Sequence, residues 1–310
     1  MNRQQGISLV ELMIASLLGL ILSSAILSTL YASIAANKLK VAAESIHENS
    51  SLAMHFLAAD IRAIDFSGCF NTRVSNANIV STGRVADHLQ RFGAIFAEHK
   101  SYNNSDAFSF VSALDAGLEL NQNMSNVHSS VDLLADSEVA NHREVFITNC
   151  QVADLFTISG QWNSRLYHDM PDNSSANLSA VYSRGSMLYP LSVVSYKIAR
   201  GASGRAGLYR KVNSRYFQEL IPNVEQLRIY YASKQGLDNK MLYRSSSQIS
   251  NYDDVISIHL KLLLSSPTEV LKQQSHYQNL QGQRVKAQDR RLYKSFEMTV
   301  ALRNRLIAGD

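Results

Sequence analysis

The first long pattern in the chain is an almost unbroken apolar run. From Ile7 to Ile34 the sequence reads ISLVELMIASLLGLILSSAILSTLYASI, with Glu11 as its only charged residue. The run exceeds the roughly 20 residues that a helix needs to cross a bilayer core. Past Ile34 the apolar positions thin to one side of a helix: Leu39, Ala42, Ile46, Ala53, Leu57, Ile61 and Ile64 recur at steps of three, four or seven. Lys38, Lys40, Glu44, Glu48 and Asp60 fall between them. No proline interrupts the chain from Ile7 to Asp65, so the apolar and amphipathic parts are expected to form one rod, closed near Gly68 in "SGCF".

Beyond the rod the period changes to that of strands. Candidates are residues 107–114, 144–148, 154–159, 191–199, 207–212, 224–232, 254–266 and 292–304. In "QLRIYY" and "SIHLKLLL" alternation puts Leu227 and Ile229, then Ile258, Leu260 and Leu262, on single faces, as half-buried antiparallel strands do. "YFQELIP" predicts a short helix before the 224 strand, and loops such as "HDMPDNSSANLS" join the pieces. The expected fold class is α+β, one long helix packed on mainly antiparallel sheet. The expected organisation is residues 1–6 as a leader, 7–34 as the membrane or filament-core half of the helix, 35–66 as its amphipathic half and 67–310 as a β-rich domain.

Composition narrows the function classes. Among 310 residues, 30 basic and 26 acidic side chains leave a net charge of +4, too small and scattered to argue for nucleic acid. The clusters "RGASGR" and "DRRLYK" read as solvated turns or strand starts. Cys69 and Cys150 are the only two cysteines; without nearby His partners they do not make a zinc site. Outside the cytoplasm they suggest a disulfide, with two buried thiols as the alternative.

The apolar run is not an ordinary signal peptide, since its small residue, Gly6, precedes the run. Arg3 and the amino terminus keep the leading end cytoplasmic, with the remainder outside. A carboxylate inside a membrane helix costs about 2.5–3.5 kcal/mol on insertion scales. Glu11, about one turn beyond Ile7, either snorkels to the interface or, the sharper expectation, meets a positive partner in the membrane or in an assembly. Here the residues carry a resemblance. Gly6 followed by "ISLVELMIASLLGLILS" resembles the N-terminal signal of type IV pilins and type II secretion pseudopilins. The resemblance implies cleavage by a prepilin peptidase between Gly6 and Ile7, N-methylation of Ile7, and pairing of Glu11 with the amino terminus of a neighbouring subunit. The family most often begins its mature chain with Phe, where this sequence has Ile.

"FLAADIRAIDFSGCF", "ITNCQVADLFTIS", "GLYRKVNSRYFQELIPNVEQLRIYYA" and "FEMTVALRNRL" are similar to segments of the PilW family of minor pilins. That resemblance implies a low-abundance subunit of type IV pili that helps to prime fibre assembly in a tip complex. Its partners would be other minor pilins, the major pilin and a tip adhesin. It would reside in the inner membrane with a periplasmic C-terminal domain, and then in the fibre at the cell surface. The J-type pseudopilin of type II secretion is the nearest alternative. Both cysteines lie in family-like stretches; paired, they would tie the end of the long helix to a strand of the sheet.

A membrane-anchored periplasmic enzyme or binding protein is the remaining alternative, and the motifs speak against it. The chain has no GxSxG, HExxH, P-loop or GxGxxG, and no cofactor is expected. His47 and His55 read as exposed on the helix and His259 as solvent-facing in a strand. Asp169 and Asp172 lack the ordered ligand pattern of a calcium loop.

Overall fold

The computed structural model describes residues 9–70, 72–113, 116–134, 139, 143–201, 204–213, 216–235, 240–249 and 251–306. Helix α1 (Leu9–Arg62) holds the whole apolar run and the amphipathic segment in one rod about 80 Å long at 1.5 Å per residue. It stops at Arg62, and the chain turns through Asp65 and Gly68, both with φ of 60°. A second helix, α2 (Arg84–Phe92), follows.

Most strands fall into two sheets, beside a two-stranded ribbon (His276–Gln278 with Arg284–Lys286) and a small three-stranded sheet (Val131–Asp132, Arg165–Tyr167 and Gly160–Trp162). β1 (Ile95–Ser101), β2 (Ser105–Ala113), β3 (Glu144–Thr148), β4 (Ala153–Thr157), β5 (Met187–Arg200), β6 (Ala206–Val212) and β7 (Gln218–Pro222) form the first sheet, with short strands at Asn78–Ile79 and Leu118–Glu119. All its pairings are antiparallel except that of Asn78–Ile79 with β4. β8 (Val224–Gln235), β9 (Lys240–Arg244), β10 (Val255–Ser265) and β11 (Tyr293–Ala301) form the second, antiparallel in the order β9-β8-β10-β11. A last turn of helix, α3 (Arg303–Leu306), ends the described chain. The architecture is α+β, a long helix on mostly antiparallel sheet.

The alternation expected for the second sheet holds: Leu227, Ile229, Ile258, Leu260 and Leu262 are all buried. They share one core with Ile46, Ala53, Leu57, Ile61 and Ile64 of α1, Phe108 and Phe110 of β2, and Val194, Tyr196 and Ile198 of β5. Two smaller cores lie in the part built from residues between α1 and β5, around Val145, Ile147, Phe156 and Tyr182, and around Phe146, Leu155, Val85 and Leu191. β5 runs through all of them, contributing Leu188 and Leu191 to the smaller cores and Val194, Tyr196 and Ile198 to the large one.

One expected element differs. Residues 218–222 are a strand, not a helix: Leu208 and Ile221 are paired across β6 and β7, with a bulge between Leu208 and Tyr209. Phe217, Leu220 and Ile221 have helical spacing, but the free edge of β6 offers a partner that the isolated segment lacks. Pro222 closes this strand, a position where its missing N–H is tolerated.

Candidate functional site

The segment most unlike an ordinary soluble surface is the first half of α1. From Leu9 to Ile34 its large apolar side chains, Leu17, Leu20, Ile21 and Leu27 among them, are all exposed. This is the one helix among the described residues long and apolar enough to cross a membrane. Its hydroxyls turn inward on their own backbone: Ser16 donates to the Met13 carbonyl, Ser23 to Gly19, Ser24 to Ile21, and both Ser28 and Thr29 to Ala25, at 2.8–2.9 Å. Such bonds let a hydroxyl enter an apolar phase without an unmet donor. Glu11 lies in the first turn of the described helix, exposed among Leu9, Val10, Leu12 and Met13. Gly6 and Ile7 lie outside the described residues.

The second half of α1 is anchored to the globular part. Ala42, Ile46, Ala53, Leu57, Ala58 and Ile61 form the buried stripe, which rests on β7, β10 and β11. The expected Leu39 remains 39% exposed, so the seam begins one turn later. Asp60, expected among the polar positions, is buried. Its carboxylate accepts hydrogen bonds from the Tyr196 hydroxyl at 2.6 Å and from Arg210 Nε at 2.8 Å. Burial and the Asp60 charge push the Tyr196 phenol far above its ordinary range. Burial alone would lower Arg210, but its bond to Asp60 and the nearby Tyr196 carry it above the usual value. A register argument could have found this residue: Asp60 is three positions after Leu57 and seven after Ala53, on the stripe itself.

Two more ties hold the helix end. Arg305 of α3 donates from Nε to Asp65 at 2.9 Å and from Nη1 to the Val255 carbonyl at 3.0 Å, with both charged side chains 1% exposed. Burial lowers the Arg305 pKa, opposed by the Asp65 carboxylate. The second tie is a disulfide between Cys69, in the turn after α1, and Cys150. Cys150 sits in the turn joining β3 to β4 rather than in a strand.

The residues that could carry other chemistry are dispersed. His47 and His55 are exposed on α1, and His47 lies edge-on to Phe296 with the Lys294 amine 2.8 Å from its Nε2. His259 is less open than expected: it is hydrogen-bonded to Thr299 at 2.9 Å and flanked by the rings of Tyr230 and Tyr243. Among the described residues no group of three or more His, Cys, Asp or Glu is placed to hold a metal ion.

Compared with known families, residues 195–304 match the model of Type IV Pilus-assembly protein W, PilW. Residues 1–27 match the prokaryotic N-terminal methylation motif. The first match spans the C-terminal part of β5 and the whole second sheet. The second spans the first residues of the sequence and the exposed start of α1. Both point to a structural, non-enzymatic, membrane-anchored protein. The family-like stretches at 56–70 and 147–159 lie outside these two matches. No curated protein matches the chain.

Proposed function

Starting from a PilW-type pilin with a prepilin signal, we propose that this chain is a minor pilin that helps to initiate type IV pilus fibres in a tip complex with other minor pilins, the major pilin and a tip adhesin. The observation that carries the reading is the division of α1. One half is covered by its own protein, and the other exposes apolar side chains along its whole length. Such a helix needs lipid before assembly and neighbouring helices after it. In the proposed mechanism a prepilin peptidase cuts between Gly6 and Ile7, and the amino group of Ile7 is methylated. The amino terminus of one subunit then meets Glu11 of the next as the apolar helices leave the bilayer. Moving a carboxylate from lipid to a cationic partner offsets the roughly 2.5–3.5 kcal/mol of its membrane burial. That favours the fibre over the stored state. The globular part stays on the periplasmic side until the fibre carries it to the surface.

Intact mass and N-terminal sequencing of the membrane protein, with and without the peptidase, test the processing step. A mature chain beginning at methylated Ile7 only when the enzyme is present is expected. An uncut chain, or a cut after the apolar run, would return the helix to the role of a plain anchor. Glu11→Gln should be processed normally yet fall at least several-fold in sheared fibres; full incorporation of that variant would remove Glu11 from the mechanism.

A further inference from the structure

The first sheet has one face on the helix core; α2 covers part of the other face and leaves the part beside it open. Phe108, Phe110, Val194, Tyr196 and Leu208 point to the core, so their neighbours in sequence face outward. Register places Phe96, Ser109, Ser195 and Lys211 side by side across β1, β2, β5 and β6. This row is a trough: two serines form its floor, and aromatic rings rise at both sides. On one side Phe96 stacks on Phe92 of α2 at 4.2 Å, with Phe92 41% exposed. On the other stands Phe217, with the Lys197 amine 4.1 Å and the Lys211 amine 4.8 Å from its ring centre. The cleft between Phe96 and Phe217 has a volume of about 280 Å³ and is floored by Ala107, Ser109 and Ser195.

We propose that this cleft is a docking site for an acidic segment of a neighbouring pilus subunit, with a carboxylate seated at the Lys197 and Lys211 amines and an apolar neighbour between Phe96 and Phe217. The inference rests on the chain being a fibre subunit. Charge complementarity carries it. Among the described residues neither lysine has an ion-pair partner. Both amines lie over the ring face of Phe217, a cation–π arrangement that leaves their N–H donors available to an anion. Burial, with Arg84 and Lys197 nearby, holds the Lys211 amine below its ordinary pKa. The two lysine amines share one ring face, and a carboxylate seated between them pairs with both. Glu98 lines the same cleft at the β1 side. It opposes a continuous run of phosphates, as in a nucleic acid, and tolerates isolated carboxylates at the lysine end.

The test uses the full chain in piliated cells, with Phe92 replaced by p-benzoyl-phenylalanine, a ring of similar shape at the rim. Irradiation should give an adduct in the fibre fraction that maps to an Asp- or Glu-containing segment of another pilus subunit. Lys197→Gln with Lys211→Gln should reduce the adduct at least tenfold, whereas Lys197→Arg with Lys211→Arg should retain it. The double Arg variant separates loss of charge from loss of folding. Protein present in fibres with no lysine-dependent adduct would overturn the proposal and leave the minor-pilin reading standing. Adducts mapping to nucleic acid, or to a segment without acidic residues, would overturn it too. Absence of the chain from fibres altogether would overturn the minor-pilin reading and the docking site with it.

Discussion

The disulfide offers the most quantitative test of how this fold is held. Cys69 and Cys150 are 81 residues apart in sequence, and the enclosed segment holds α2 and β1 to β3. Closing a loop of that length in the unfolded chain removes conformational entropy worth about 4.5 kcal/mol at room temperature. Replacing both cysteines by serine, or reducing the native protein, should remove that much stability from the globular part. With a urea slope of about 2–3 kcal/mol/M, the unfolding midpoint should fall by about 1.5–2.3 M. The measurement is urea unfolding of the full chain in detergent, followed by near-ultraviolet circular dichroism of the buried tyrosines Tyr182, Tyr196 and Tyr231. Reduced native protein and the double serine variant should coincide. A shift smaller than about 0.3 M, under ~1 kcal/mol at that slope, would refute the argument from unfolded-chain entropy. A loss in the variant but not in the reduced protein would assign the effect to side-chain packing instead.

Three other perturbations have expected outcomes. Asp65→Ala leaves the Arg305 guanidinium buried without its carboxylate and should cost about 3–5 kcal/mol in chemical unfolding; paired with Arg305→Met the loss should shrink sharply. Asp60→Asn keeps the shape but removes the charge that accepts from Tyr196 and Arg210, and should cost about 1.5–3 kcal/mol on the scale of charged hydrogen bonds. His88 lies under the sheet, with Nδ1 3.0 Å from the Gly93 carbonyl and Nε2 2.9 Å from the Ser109 hydroxyl. Burial lowers its pKa below the ordinary 6.5 against the raising effects of the Gly93 bond and Asp87. Because the folded pKa is depressed, the unfolded chain binds the proton first as pH falls. Stability should therefore be complete above about pH 6.5 and decline below it until the folded pKa is reached. Unfolding curves from pH 7.5 to 5 should show that slope, and His88→Gln should flatten it.

The parts of this fold that were legible are those whose signals are local and periodic. The apolar run, the stripe from Ala42 to Ile64 and the alternation around Leu227 and Ile258 each repeat within a few residues, and the structure places them as expected. The parts that were not legible depend on residues far away in sequence. The N-cap position of α2 is Gly83, which has no side chain to cap the helix. Its cap is Glu144, whose carboxylate accepts from the Val85 and Ala86 amides at 2.7 and 2.8 Å and from the Ser81 hydroxyl. A helix whose N-cap comes from another strand carries no start signal in its own sequence. The loop at 173–182 is organised in the same way by Asp154, which accepts from the Ser179 amide and hydroxyl and from the Tyr182 hydroxyl. The docking cleft depends on four strands coming into register, and no stretch of sequence announces that.

The boundary of the PilW match falls at a physical boundary in the molecule. The match begins at residue 195, inside β5. Just before it, Leu188 and Leu191 serve the smaller cores; from Val194 onward Tyr196 and Ile198 serve the core under α1. The matched segment then supplies β7, β10 and β11, which bury the anchored half of the helix, and runs on to Asn304, whose amide side chain donates to the Ile64 carbonyl at 2.8 Å. Its strands are those needed to hold a long helix with one half bare. The segment from Cys69 to Tyr189 builds most of the two smaller cores and is closed on itself by the disulfide; it joins that frame through β5 and through Ile95, Phe108 and Phe110, which enter the large core. The cleft proposed for docking takes Phe96 and Ser109 from that added segment, and Lys197, Lys211 and Phe217 from the frame. A subunit that must enter a common fibre while selecting one particular neighbour needs its selective surface tied rigidly to its assembly frame. A cleft shared across one continuous sheet meets that requirement.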